Sequence, residues 1–587
     1  ADSVSFFSEW IHNRALKFID QNIVEKAFGN RRSNSSDEAV INDFMSFEQP
    51  LHIIPRDQHY QKAVDRVTDL GRPDRTLYPI SFPDLRYYTW NLPPNACAPW
   101  NIPTFRFVPQ YRDLDGESQS PKLQTLVSRS ISFFIRGSIL VTDYLKIKQR
   151  IGLIGKATTS FHNLYNELFT YNRTLVHQIK EGHSRFFQDD GTPIAYYWHS
   201  LFARAHVVLK DEVDKIRAVF GATKLLIMVE NMFIWPLQAY YLNQPEKGFL
   251  LWGREIIRGG WKKLTLEANA THVKNNWLSL DWSQFDKRLL HELIDDVHNI
   301  WRSYFSLSIY QPTSFYPHAT PRDPQRIERL WKWMTWSIKH TPILLPDNTL
   351  WKWNYNGFAS GFQQTQLMDS FANAIMILTC LSALGVDINS PHFWIRVQGD
   401  DSLIAFVGVM YSIYGPTFLS NLRDSAQFYF NAKLSDTKSQ FQDTSQHMSV
   451  LSFFNSYGLP YRTKEDLLTH LFFPEHRRDW SKLASAALGL AYANAGKHDD
   501  FHQLCEYIWN KIVHEKGILP NEKSIEWMAR ARIFPEGTSE LDAFKTLVFP
   551  TQMELRGSVW HHKGRTENER QRIWPTKPGP RGNFYFL

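Results

Sequence analysis

Two short acidic motifs give this chain the means for chemistry on phosphates. The first is Gly399-Asp400-Asp401, set within the β-prone stretch Trp394 to Phe406. Two such runs around a tight Gly-Asp-Asp read as a hairpin whose tip carries two adjacent carboxylates. Carboxylates side by side repel, and both ionise readily only with a cation between them. Hard oxygen ligands suit Mg²⁺, which keeps waters and binds through one or two carboxylates plus substrate phosphates. An isolated Gly-Asp-Asp is most often an ordinary turn, so its meaning depends on what lies upstream. There, the apolar-alternating Trp277-Leu278-Ser279-Leu280 leads into Asp281, and Asp286 follows five positions later. The alternation puts Asp281 at the end of a strand. Leu289, Leu290, Leu293, Val297, Ile300, Trp301 and Tyr304 then recur at helical spacing. Asp286 therefore lies near a helix N-terminus, where a carboxylate is favoured and a plain cap would serve as well.

Between these acids, Ser360-Gly361 reads as a flexible loop entering a helix. Thr365, Asp369 and Asn373 follow at i, i+4 and i+8, one polar stripe on that helix. Leu367, Phe371, Ile375 and Leu378 form an apolar face, and the neighbouring sequence is too apolar for a free surface helix. The stripe thus points to a wet internal site. Upstream, Lys215 and Arg217 share one face of an expected strand. Two cations on one face suit a triphosphate, although alone they also suit a solvated strand.

The elements that must position these residues belong to an ordered globular chain of several subdomains. Its 587 residues are 43% hydrophobic and 21% charged, too long for one simple core and too apolar for disorder. Aromatic residues make up 15%, with 21 Trp, which serve packing, base stacking or both, packing being the expected role of most. A net charge of +7 is compatible with a polyanion partner. Cys97, Cys380 and Cys505 are far apart, against a disulfide framework or structural zinc and for a reducing compartment. No secretory or transit pattern opens the sequence. The most apolar run, Ala374 to Val386, is shorter than the ~20 residues a bilayer needs and reads as a buried helix. Gly152 to Thr158 lacks the spacing of a phosphate loop. Residues 1–100 mix short helical patterns with Pro-rich stretches and read as an extended wrapping segment. Gly116 to Pro121 reads as a loop, 122–250 as alternating strands and helices, and 464–550 as mostly helical. The end, with Lys563, Arg565, Arg570, Arg572, Lys577 and Arg581, reads as a solvated basic tail.

Taken in order, Asp281-x4-Asp286, Ser360-Gly361-x3-Thr365 and Gly399-Asp400-Asp401 resemble the palm of viral RNA-dependent RNA polymerases. Lys215 and Arg217 resemble that family's basic finger motif. Asn431 to Lys438 resembles its next palm motif, with Lys438 best matched to the motif's lysine and Lys433 as its competitor. Leu451 to Arg462 resembles the hairpin beside the thumb. Thr365-Gln366-Leu367-Met368-Asp369-Ser370 and Met228-Val229-Glu230-Asn231-Met232-Phe233 look closest to the partitivirus branch, whose genomes are double-stranded RNA, with picobirnaviruses next. The matching stretch covers about residues 205–465. Many relatives carry Asn where this chain has Asp369, an Asn that helps recognise the ribose. An acid there, near Asp286, implies that one of the two is protonated or bridged by a basic group.

The resemblance implies an α+β right hand of fingers, palm and thumb, its antiparallel palm sheet backed by helices and enclosed by an N-terminal extension. The expected boundaries are 1–120 for that extension, bridging fingers and thumb, 121–276 and 311–355 for fingers, and 277–310 and 356–463 for palm. The thumb takes 464–550 and the basic tail 551–587. It implies Asp281, Asp400 and Asp401 as ligands of Mg²⁺ or Mn²⁺, and Lys438 as general acid. Lys215, Arg217, Asp286, Ser360, Gly361, Thr365, Asp369 and Asn373 would meet the nucleotide. The implied partners are RNA template and product, NTPs and a viral capsid protein, without a membrane, in the virion interior and host cytoplasm. A reverse-transcriptase-like polymerase and a non-catalytic, capsid-associated RNA-binding protein are the alternatives. Bare clustered carboxylates count against the second, because they repel RNA unless a metal intervenes.

Overall fold

The computed structural model describes residues 2–109, 137–531, 548–579 and 582–587. The expected loop Gly116 to Pro121 lies outside them, as does Arg581.

A four-stranded antiparallel sheet carries the acidic motifs. Its order is Trp394–Gln398, Asp401–Phe406, Asn276–Ser279, Gln440–Gln442. The first two strands form the expected hairpin: Trp394 pairs with Ala405 and Gln398 with Asp401, leaving a two-residue turn. Gly399 takes φ +56° and Asp400 stays at negative φ, the pattern of a type II′ turn, whose twist suits the flanking strands. Ile404 to Phe406 pair with Leu278 to Asn276. Extending that antiparallel register sets Asp281, two residues past its strand, beside Asp401. The Leu280 amide donating to Ser402 Oγ at 3.3 Å fits the same register.

Helix Thr365–Ala383 backs this sheet and packs on helices Gln58–Gly71, His291–Ser303 and Phe418–Phe430. Its residues from Leu367 to Ser382 are all buried; an apolar perimeter is what a helix covered on every side requires. Among the described residues it is the one helix long and apolar enough to cross a membrane, and 89% of that window is buried inside the protein. The expected apolar helix is thus a core element.

A second sheet runs Leu350–Trp351, Ile343–Leu344, His199–Ala205, Ile216–Gly221. In the last strand Ile216, Ala218 and Phe220 are buried while Arg217, and Lys215 just before the strand, are exposed, the alternation that one solvated face imposes. Gly152 to Thr158 follows helix Val141–Arg150 as turns and bends, without the strand-to-helix setting a phosphate loop needs.

The expected wrapping N-terminus contains more regular structure than its prolines suggested. Helices Asp2–Ala15 and Gln21–Phe28 share a separate hydrophobic core with helices Lys464–Phe472, Trp480–Asn494 and Asp499–Trp509. The chain then pairs Asn30–Arg32 with Val207–Leu209 and lays helix Asp37–Met45 against strand Ile216–Gly221. It therefore spans from the C-terminal helices to the second sheet.

The basic end does not run free. Helix Gln552–Ser558 adds Leu555 to the C-terminal core, and Phe584 and Phe586 are 2% and 3% exposed in the main core. Trp574 stacks on Phe586 at 3.6 Å between ring centroids, and Tyr87 on Phe584 at 4.2 Å. The expectation of a solvated tail weighed its cations and not its aromatics, whose large buried area outweighs them. All three cysteines are free and buried.

Candidate active site

The acidic motifs open into one cavity of about 1470 Å³. Small-molecule pockets usually measure ~300–1,000 Å³, so this one has room for more than a single nucleotide. Asp281, Asp286, Asp400 and Asp401 line it together with Lys215, Arg217, Ser360, Thr365, Asp369, Lys433 and Lys438. Gln284 at φ +57° turns the chain sharply between Asp281 and Asp286, which brings both carboxylates to the same space. Both lysines of the 431–438 stretch reach the cavity, so its lining does not choose between Lys433 and Lys438.

Two residues assigned to the nucleotide stand outside the lining. Asn373 is fully buried and spends its amide on the hairpin. Its Nδ2 donates to Gly399 O at 3.0 Å and Asp401 O at 3.2 Å, while Trp282 Nε1 donates to its Oδ1 at 2.8 Å. Ser370 Oγ accepts from Gly399 N at 2.8 Å. The turn thus hangs from the core helix by three hydrogen bonds, and the stripe Thr365, Asp369, Asn373 divides into two lining residues and one strut. Gly361 lies against the second sheet: a Cβ there would fall 1.9 Å from Phe220 O. That close approach requires glycine and ties the Ser360 loop to the strand carrying Arg217.

Electrostatics separate the acids into two groups. Burial raises the Asp400 carboxyl above its usual range, Asp281 adds to the shift and Arg217 opposes it. Asp401 is pushed up to about 6 by burial and then by Asp400 and Asp281. None of these three forms an ion pair with Lys or Arg among the described residues, although Lys215 and Arg217 line the same cavity. Carboxylates that raise one another in this way are the oxygen chemistry that a hard divalent ion favours. Among the described residues no group of three or more His, Cys, Asp or Glu side chains is placed so that it could hold a metal ion.

Asp286 and Asp369 form the second group. Burial raises both carboxyls, and for Asp369 the facing Asp286 charge raises it further. Two acids placed this way favour sharing a proton over carrying two charges. The Oδ1 atom of each is buried and without a hydrogen-bond partner.

The profile of viral RNA-dependent RNA polymerases matches residues 175–518, more than half of the chain. The chain belongs to that family. The RNA-directed RNA polymerase of White clover cryptic virus 1 is 29% identical over 579 residues, covering 94% of this chain and 88% of that protein. That of Atkinsonella hypoxylon virus is 24% identical over 408 residues, covering 61% of this chain and 59% of that protein. The resemblance read from the motifs, with its partitivirus branch, is borne out. This polymerase is an RNA-directed RNA polymerase, with RNA and nucleotides as substrates.

Other parts of the polymerase site were not visible as motifs. Asp43 and Phe47, from the N-terminal segment, also line the cavity. Asp43 Oδ2 accepts from Ala218 N at 2.7 Å, and its Oδ1 pairs with Lys287 Nζ at 2.6 Å, joining the Arg217 strand to the Asp286 helix. Deeper, Glu230 accepts from Gln363 N, Gln364 N and Gln364 Nε2 at 3.4, 3.3 and 2.8 Å. His298 Nε2 closes the chain on Gln364 Oε1 at 2.6 Å. Burial pushes Glu230 up to about 8 and His298 down to about 4. This network holds the start of helix Thr365–Ala383. Its sequence signals are an acid inside an apolar helix, Lys224–Asn243, where a charge must find partners, and the Met228 to Phe233 stretch that carried part of the resemblance without a role for Glu230.

Proposed function

We propose that the chain is the replicase and transcriptase of a double-stranded RNA virus, folded as a right hand around an RNA channel. In this reading residues 277–310 and 356–463 are palm, 121–276 and 311–355 fingers, and 464–550 thumb. The N-terminal 1–120 extension bridges fingers and thumb, and 551–587 is a strap rather than a tail. The supporting observation is that Asp281, Asp400 and Asp401 face Lys215 and Arg217 across one cavity.

Asp281 and Asp400, with Asp401 assisting, would hold two divalent ions, Mg²⁺ or Mn²⁺. When bound, such ions would activate the 3′-hydroxyl and stabilise the leaving oxygen. Lys215 and Arg217 grip the triphosphate and offset the charge that grows on it. Lys438, or Lys433 beside it, donates the proton to departing pyrophosphate. Asp286 and Asp369 hold one proton between them, so their pair both donates and accepts toward a ribose 2′-hydroxyl. Their orphaned Oδ1 atoms support that role. Ser360 and Thr365 add hydroxyls at the same wall, while Gly361 and Asn373 act by positioning. Base pairing selects the sequence, which leaves backbone and shape contacts to the protein. A capsid protein partner, the virion interior and the host cytoplasm complete the reading.

The test is purified protein with an RNA template, four rNTPs and Mg²⁺ or Mn²⁺, product length and polarity being read on a gel. RNA synthesis that is lost in a folded Asp400→Asn variant is the expected result. Near-normal elongation by that variant would remove Asp400 from the reaction.

A further inference from the structure

A second cationic site lies outside the catalytic cavity. Helices Tyr165–Lys180 and Pro324–His340 pack against each other. On the first, Arg173, His177 and Lys180 fall at i, i+4 and i+7 and share a face. The second contributes Arg326. None of these residues lines the catalytic cavity. Their charges act on one another: Arg326 and Arg173 both bear on Lys180, and Lys180, Arg173 and Arg326 all bear on His177.

The cluster is poor in anions: Glu181 is the carboxylate that bears on Lys180, and it is already paired with Arg326. Lys180 is 6% exposed and makes no ion pair among the described residues; its ammonium lies over the Tyr310 ring, 5.3 Å from Nζ to the centroid, with Glu181 acting on it from further off. Burial, then Arg326 and Arg173, lower it to about 8. Arg326 reaches exposed Glu181 at 2.9 Å, yet its Nε is buried and unpartnered. Arg173 is exposed and pairs with no carboxylate among the described residues. One carboxylate for three permanent or near-permanent cations leaves a buried charge uncompensated, which is costly unless an anion arrives.

We propose that this face binds phosphates of the RNA backbone at a site separate from the reaction centre. The chemistry is charge-assisted hydrogen bonding from guanidinium and ammonium to phosphate oxygens. Backbone amides do not supply it: the start of helix Pro324–His340 is already capped by Asp323, whose carboxylate accepts from Gln325 N at 3.0 Å. Side-chain cations spread over two helices, open to solvent at Arg173 and His177, suit the spaced charges of a strand better than one compact phosphate. Such a site would hold RNA outside the cavity while the cavity works on the primer end.

The test measures RNA affinity against salt for Arg173→Gln, Arg326→Gln, their double variant and Lys180→Met, which keeps the buried bulk. Labelled single- and double-stranded RNA are the probes. Inorganic phosphate and ATP serve as competitors, and single-nucleotide addition at saturating short primed template monitors the reaction centre. The double variant is expected to bind RNA about tenfold more weakly at low salt, with the salt slope reduced by roughly 1.4–1.8 and nucleotide addition unchanged. Lys180→Met should follow in the same direction. Unchanged RNA affinity and slope in the double variant and in Lys180→Met would overturn the proposal. So would loss of phosphate or ATP binding with RNA binding intact, which would make this a free-phosphate site.

Discussion

Within one cavity, two groups of carboxylates face opposite fates. Asp281, Asp400 and Asp401 stand at the wet end of the central sheet, where Asp400 and Asp281 raise Asp401 and Arg217 opposes the shift at Asp400 without an ion pair among the described residues. Asp286 and Asp369 lie at the buried wall, where the cheaper answer to the same repulsion is a proton. The residue type is identical; access to water and to a cation decides the charge. In the proposed reading the first group holds metal and the second holds and offers a hydrogen. That contrast explains how Asp369 stands where many relatives carry Asn, since a protonated acid offers the donor that an amide would.

The comparison breaks most visibly at the wet group. Asp400→Asn should lower synthesis by about 10³-fold or more while RNA binding persists, because it removes ligand charge and leaves the basic surfaces intact. Asp281→Asn should match it, and the double variant should lose little more, as expected when two ligands serve one metal pair. A smaller effect is expected one layer back. Asn373→Ala removes two of the three hydrogen bonds that hang the turn from the core helix, leaving the one from Gly399 N to Ser370 Oγ, and leaves Trp282 Nε1 unpaired. A turn displaced by about 1 Å can cost ~10²-fold in rate, so kcat should fall while the nucleotide KM changes little. Arg217→Ala should cost kcat/KM for NTP about 10–10²-fold, the worth of one or two charge-assisted hydrogen bonds. If only RNA affinity moved, that strand would belong to the template. Asp286→Ala should shrink the preference for ATP over dATP by roughly one to two decades, at about 1–3 kcal/mol per buried polar group left unpaired. An unchanged ratio would leave Asp286 as a helix cap.

Local pattern made the hairpin, the apolar helix and the alternating basic strand legible, because each is fixed by neighbours within a few residues. Trp394 to Phe406 carries its own turn, and Ile216, Ala218 and Phe220 announce their buried face by alternation alone. The motif order supplied the rest of the lining. What escaped depends on partners far along the chain. Asp43 meets Ala218 and Lys287 across 175 and 244 residues, and nothing around Asp43 marks it as more than the middle of a short helix. Asn373 shared the right stripe but faces inward by one turn, since the helix is buried where the hairpin crosses it. Gly361 looked like a hinge and is instead a contact point, a distinction that only the Phe220 carbonyl makes. The basic end was misjudged because charge is conspicuous in sequence while Trp574, Phe584 and Phe586 find their stacking partners only in three dimensions.

The smallest effect falls on the buried pair and is the sharpest test of the contrast. Asp286 and Asp369 both sit above the ordinary carboxylate value of 3.8. The folded protein therefore keeps a proton that the unfolded chain has released, and the pair's contribution to stability falls as pH rises from about 4 through the folded values. Below the unfolded value both states are protonated and the penalty vanishes. Asp369→Asn replaces the shared proton with a permanent amide donor, which Asp286 can accept from as a carboxylate. Its melting temperature should exceed that of the parent protein at pH 8 and approach it toward pH 4.5. Activity should change by only about 2–3-fold with ribose preference kept, because the pocket still offers one donor and one acceptor. Thermal melts of both proteins across that range, with the ATP to dATP ratio of kcat/KM at pH 7, measure both halves. A melting difference independent of pH would mean that the two acids do not share a proton, and the division between wet and buried carboxylates would fail at this wall.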